Sequence, residues 1–306
     1  MKHVSSWLLL LAAPAATGCS SSGDALPTAA PKEVTKVVAS GFTSPTDAVA
    51  SLDGNEFYFA AFTAEDGQGA VFRTAAKADS AAEVLATSPL SLPIGLVLSC
   101  DGGTLYVGDA GADSTGIYAV SPRGGELTDL GVTGLTHIGG LAMGPDCETL
   151  FVTARTDEGA PALYAVSRQG GAARLVFSGA PLASPTGLHV DKDGVAWVMD
   201  HQAVGEAGLG VLFAIPSDGS SAREVASDLR MGTPGGVSLT AGGGTAVMPT
   251  RDRDGNAQLT SVVIATGEVT QLPVPDMIDP AGLRTAREAG VFAVVDSEGG
   301  AIYRAQ

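Results

Sequence analysis

The side chains able to do chemistry gather in a few loops. Glu65 and Asp66 form one group, Asp109 and Asp113 another. Further along come Arg155, Asp157 and Glu158, then Asp200, His201 and Glu206, then Arg251, Asp252, Arg253 and Asp254, and last Asp296 and Glu298. His137 stands just ahead of a Gly-Gly turn. Guanidinium groups, carboxylates and two imidazoles together suit the holding of a small polar ligand by charge-assisted hydrogen bonds. Asp109, His137, Arg155, Asp200, His201, Arg251 and Asp296 are therefore candidate ligand-binding residues. A structural role competes with this. A carboxylate beside a turn readily accepts main-chain N–H groups, and Arg251 to Asp254 also fits a solvated loop with local ion pairs. His201 beside Asp200 is the best acid–base pair on offer, but neighbours at a strand end point in opposite directions.

Nucleophilic catalysis finds no support. Gly-x-Ser-x-Gly is absent, and no catalytic residue is assigned. Asp252, Asp254, Gly255 and Asn256 match part of a calcium loop but lack its terminal Glu. Neither a cofactor nor a metal is expected. The net charge of −16 repels phosphate backbones, so nucleic acid is not an expected partner.

These loops sit in a repeat. Pro45-Thr46-Asp47-Ala48, Pro93-Ile94-Gly95-Leu96, Ile138-Gly139-Gly140-Leu141, Pro185-Thr186-Gly187-Leu188, Pro234-Gly235-Gly236-Val237 and Pro280-Ala281-Gly282-Leu283 open six segments in one frame. Their third residues are 48, 45, 47, 49 and 46 positions apart. Each segment continues through a polar turn such as Asp53-Gly54, Asp101-Gly102 or Asp193-Gly194, then a short apolar run, a variable loop and a second apolar run. A weaker, more polar run closes each of the first five segments, as an outer edge strand should. Four strands per repeat at this period predict an all-β, six-bladed propeller of four-stranded antiparallel blades. The last segment ends after three strands, and Val34 to Ala39 is free to supply its fourth. In this fold the loops between blades and between second and third strands share one face, so the charged groups should ring one mouth of the central channel.

Ser99-Cys100-Asp101-Gly102-Gly103-Thr104-Leu105-Tyr106-Val107-Gly108-Asp109 resembles the repeat of NHL-like and gluconolactonase-like (senescence marker protein) propellers. The resemblance covers most of residues 34–306 and implies fold, not activity. In the lactonase branch, Glu, Asn and Asp side chains enter the channel and hold a divalent metal. The positions here that match its Asn and Asp ligands are Thr46, Ile94, Gly139, Thr186, Gly235 and Ala281. None is an acid or an amide, and Asp47 lies one position late and alone. The resemblance therefore implies a binding scaffold, with a divergent lactonase-like hydrolase or lyase at the channel mouth as the alternative.

The chain's start reads as an address. Lys2 and His3 precede an apolar stretch, Trp7 to Ala13, too short to span a bilayer. Ala16-Thr17-Gly18-Cys19 resembles a bacterial lipobox, with Ala16 where Leu is usual. This implies a signal peptide over 1–18, acylation of Cys19, a flexible tether over 19–33 and a propeller over 34–306. The implied partners are the membrane through the lipid, and a small polar ligand or an envelope protein. By resemblance to enterobacterial sorting, Ser20 after the Cys implies the outer membrane. The remaining cysteines, Cys100 and Cys147, fall in first hairpin turns of adjacent blades. An oxidising envelope invites their pairing, while repeat positions differing by two residues work against it, so the sequence leaves the disulfide open.

Overall fold

Alternating apolar residues bounded by Gly- and Asp-containing turns form short antiparallel strands, and these build six four-stranded sheets. The computed structural model describes residues 25–112, 115–204 and 209–306, among which there is no helix. Blade 1 comprises Phe42–Ala50, Glu56–Thr63, Gly69–Ala75 and Glu83–Ala86. Blades 2 to 5 repeat this order, each strand pairing with the next in sequence. Innermost strands shrink in places, to Leu141–Met143 in blade 3 and Ser238–Leu239 in blade 5.

Blade 6 is Pro280–Thr285, Phe292–Asp296 and Ala301–Ala305, and Val34–Val38 is its outer strand. Val34 pairs with Ala305 and Lys36 with Tyr303, so the two ends of the chain close the ring. Phe42, Phe59 and Phe72 reinforce that seam. The first two rings meet edge to face at 4.6 Å, and the last two stack at 5.1 Å.

Each blade buries both faces against its neighbours. The apolar core is accordingly six separate clusters, one at each junction, rather than one central mass. The centre belongs to the glycines that set the repeat. A Cβ on Gly95 would lie 2.6 Å from Gly139 O, on Gly187 2.5 Å from Gly235 O, and on Gly282 2.6 Å from Thr46 O. A Cβ on Gly140 would overlap Thr186 O outright. Glycine at this position lets each inner strand touch the backbone of the next, which narrows the channel to a waist.

The stretch 25–33 lies on the face of the first hairpin turns. Gly242 N donates to Pro27 O at 2.8 Å, and Thr245 Oγ1 donates to Thr28 O at 3.1 Å. This part of the expected tether is thus docked on blade 5. The signal region and Cys19 lie outside the described residues. On the same face the Sγ atoms of Cys100 and Cys147 are bonded, with Cα atoms 5.7 Å apart.

Candidate functional site

The waist divides the channel into two ends with different chemistry. At the waist itself, blade 1 carries Asp47 where five blades carry Gly. Asp47 Oδ2 accepts from Leu96 N at 3.1 Å and from Arg284 Nε and Nη2 at 3.0 and 2.8 Å. Arg284 Nη1 crosses the channel to Leu188 O at 2.6 Å. Blades 1, 2, 4 and 6 are tied at the axis through this ion pair, 5 % and 7 % exposed at its two residues. The positions matching lactonase ligands are occupied with packing. Thr46 Oγ1 donates to Pro93 O at 2.7 Å, and Thr186 Oγ1 to Gly235 O at 3.1 Å, each reaching the next blade.

At one end lie the loops with the expected rim residues, and there the acids face inward. Asp109 accepts from Ser91, Leu92 and Gly111 N. Asp200 accepts from Ala183, Ser184 and Gln202 N, and Asp296 from Ile278, Asp279 and Gly299 N. Each carboxylate pins the loop that enters its own blade. Two arginines clamp the same loops from the preceding blade. Arg155 Nη2 donates to Ala183 O at 3.3 Å, and Arg251 Nη2 pairs with Asp279 Oδ1 at 2.7 Å. Arg155 and Asp200 thus meet at one junction, Arg251 and Asp296 at another. His137 stands apart and exposed, with φ of 50°. The His201 ring is half-buried, its pKa is pushed down by burial, and its Nδ1 has no hydrogen-bond partner among the described residues. Asp113 and Glu206 lie outside those residues.

Replacing Asp200 by Asn keeps one acceptor but loses the charge on three N–H bonds at a site with no exposure. We expect a loss of about 2 kcal/mol in urea unfolding. A variant as stable as the parent would show that the carboxylate is not holding the loop.

Beyond the waist, at the hairpin-turn face, the channel widens into a cavity of about 630 Å³ walled by inner-strand ends of all six blades. The second residue after each waist position looks into it: Val49, Val97 and Ala142 in blades 1 to 3, but His189, Ser238 and Arg284 in blades 4 to 6. Arg287, from the blade 6 turn, reaches across the opening, and its Nη1 lies 3.1 Å from Cys100 Sγ. Trp197 closes one side, its Nε1 donating to Asp191 Oδ2 at 2.9 Å. Leu26 of the docked N-terminal stretch lies at the edge.

Sequence reasoning missed this set. A signal was present, because residues two apart on a strand share a face, and that face turns polar in the last three blades.

His189 Nδ1 is 3.3 Å from Ser238 Oγ. This resembles a nucleophile–base pair in spacing only. Ser238 is 1 % exposed, and its Oγ also accepts from Thr285 N at 3.1 Å. Burial, with Arg284 and Arg287 nearby, lowers the His189 pKa to about 3, so the ring is a feeble base at neutral pH.

That depression makes a stability prediction. Between pH 6.5 and about 3 the unfolded chain protonates His189 and the folded chain does not. Folding stability therefore falls as pH drops through this window. The cavity wall is partly open to water, so we expect about 1–2 kcal/mol of loss between pH 6.5 and 4.5, below the full linkage value. His189→Gln should remove that part of the slope and leave the part due to His201. Identical slopes in the two proteins would refute the assignment.

The class defined by this geometry is a six-bladed β-propeller with a waist bridged by an ion pair and a cavity that opens at the hairpin-turn face. Among solved structures, one from the nidogen/laminin complex is similar over 75 % of this chain and 82 % of that chain, at 19 % identity and TM-score 0.61. A Bacteroides thetaiotaomicron protein of unknown function is similar over 90 % and 72 %, at 14 % identity and TM-score 0.63. A putative TolB from Agrobacterium tumefaciens is similar over 87 % and 90 %, at 15 % identity and TM-score 0.59. Likeness at these identities shows the fold alone. No protein-family model matches the chain, and a search of curated proteins finds no match.

Proposed function

We propose that this protein is a lipid-anchored, ligand-binding propeller of the bacterial envelope, whose ligand sits in the cavity at the hairpin-turn face. The cavity carries the reading. It has the volume of a small-molecule site, mostly apolar walls and a few convergent polar groups. The lipobox-like run ending at Cys19 supports the anchor, Ser20 favours the outer membrane, and the Cys100–Cys147 bridge fits an oxidising compartment. Because Leu26 lies at the cavity's edge, about 25 Å of extended chain at most joins it to Cys19. The anchor would then turn the cavity toward the membrane.

Native mass spectrometry of protein released gently from its own membranes tests the site. A bound small molecule, lost on unfolding, is expected. Bare protein in every preparation, with no midpoint shift in a broad ligand screen, would sink the reading. Cys19→Ser should move the chain from the membrane to the soluble fraction, and unchanged fractionation would remove the anchor. An enzymatic reading of this cavity, distinct from the one at the charged channel mouth, would rest on the Ser238–His189 contact. It gains only if lactone or ester turnover is found and Ser238→Ala abolishes it.

A further inference from the structure

We infer that the cavity takes an organic anion with an apolar body, its carboxylate held between Arg287 and His189. This rests on the ligand-binding reading above and names the ligand class.

The chain as a whole is strongly acidic, at −16, yet the charged group of this cavity with neither an ion pair nor an oxygen partner among the described residues is a cation. Lys192 and Asp193 pair with each other in solvent, at 2.7 Å. Asp191 is occupied by Trp197 Nε1, Val195 N and Asp193 N. Arg284 is neutralised by Asp47. Arg287 remains: half-buried, with no carboxylate partner among the described residues and its Nη1 3.1 Å from the Cys100 sulfur. Removal from water destabilises its charge, and no carboxylate among the described residues compensates for that. An anion entering the cavity would.

His189 supplies the second donor. In the tautomer whose Nδ1 accepts from Ser238 Oγ, the neutral ring carries its proton on Nε2 and can offer it to a ligand in the cavity that His189 lines. The body of the ligand is set by the other blades. Val49, Leu52, Val97, Ala142 and Met143 offer it only hydrocarbon and thioether, a surface that rewards an aliphatic or aromatic frame. Nucleotides and sugars would leave their polar groups unpaired against this wall. Two donors in a cavity with a largely apolar wall fit one carboxylate on an apolar body.

Trp197 lines the cavity, and Trp7 is the only other tryptophan. In the mature chain, which on the reading above begins at Cys19 and so lacks Trp7, indole fluorescence therefore reports on the site. Three probes of matched length are titrated: decanoate, 1-decanol and decyltrimethylammonium. Saturable binding of decanoate is expected, about tenfold tighter than decanol, with no saturable response to the cation. Arg287→Met should weaken decanoate about tenfold and leave decanol unchanged, and His189→Gln should weaken decanoate by less. Urea unfolding of each variant confirms that it is folded at the temperature used. Decanol binding as tightly as decanoate, or decanoate binding unaltered in Arg287→Met, overturns the anion while leaving a ligand site. Failure of all three probes overturns the amphiphilic anion, and the mass-spectrometric experiment then decides separately whether the cavity binds anything.

Discussion

Arg284→Met is expected to cost about 3–5 kcal/mol of folding stability, because it strands Asp47 as a buried charge at the channel axis. Arg284 supplies two of the hydrogen bonds to Asp47 Oδ2 and the only described side-chain bond to Leu188 O. Methionine fills similar volume, so the loss isolates the charge rather than a cavity. The other blades suggest a rescue. They place Gly at the Asp47 position, and blades 1 and 2 place Val at the Arg284 position. Asp47→Gly with Arg284→Val should therefore recover at least half of what Arg284→Met loses, since replacing both members of a buried pair is far gentler than removing one. Urea unfolding followed by Trp197 fluorescence measures both. An Arg284→Met protein within 1 kcal/mol of the parent would mean that water reaches Asp47 and that the waist is not closed.

The second large effect is expected from one methyl group. Gly140→Ala puts a Cβ onto Thr186 O, main chain of the neighbouring blade, with Leu188 Cβ and Leu188 N at 3.2 Å behind it. None of these is the end of a flexible side chain. Blades 3 and 4 must separate at the axis, where Thr153 Oγ1 also donates to Thr186 O at 3.1 Å. Ordinary overpacking costs about 1–3 kcal/mol, and a rigid ring without slack should lie at or above the top of that range. The comparison is Gly116→Ala, at the start of the third strand of blade 2, where the new Cβ meets only Tyr118 ring atoms at 3.5 Å and beyond. That change should cost less than about 1 kcal/mol. Equal losses in the two variants would show that the close approach at the waist is not what fixes glycine there.

The ring was legible because it is written six times. Strand periodicity, Asp-Gly turns and an even spacing are local signals, and repetition averages out the weakness of each. Closure was legible too, from a surplus strand at one end and a missing strand at the other. Val34 and Ala305 indeed pair. The spacing also marked the waist, though it did not say why the residue had to be Gly. That reason is a carbonyl oxygen from the next blade, 46 residues on in the case of Gly140 and Thr186.

The candidate sites divide along the same line. Charge in loops marks where ligands often bind, and it drew attention to Asp109, Asp200 and Asp296. Composition cannot tell whether a carboxylate faces solvent or folds back on main-chain N–H groups, and here all three fold back. Arg155 and Arg251 read as candidate ligand-binding groups, and the structure sets each against the loop of the neighbouring blade.

Asp47 and Arg284 are the sharpest case. One was a lone acid out of register, the other an unremarked residue 237 positions away, and only closing the ring sets them 2.8 Å apart. The sequence by itself determined the blades, their number and the strand that closes them, because those depend on patterns within about 50 residues. Only the tertiary structure decided where the charge is spent and where it is left over. The cavity with Arg287 and His189 is assembled from six segments that meet at the axis and nowhere along the chain.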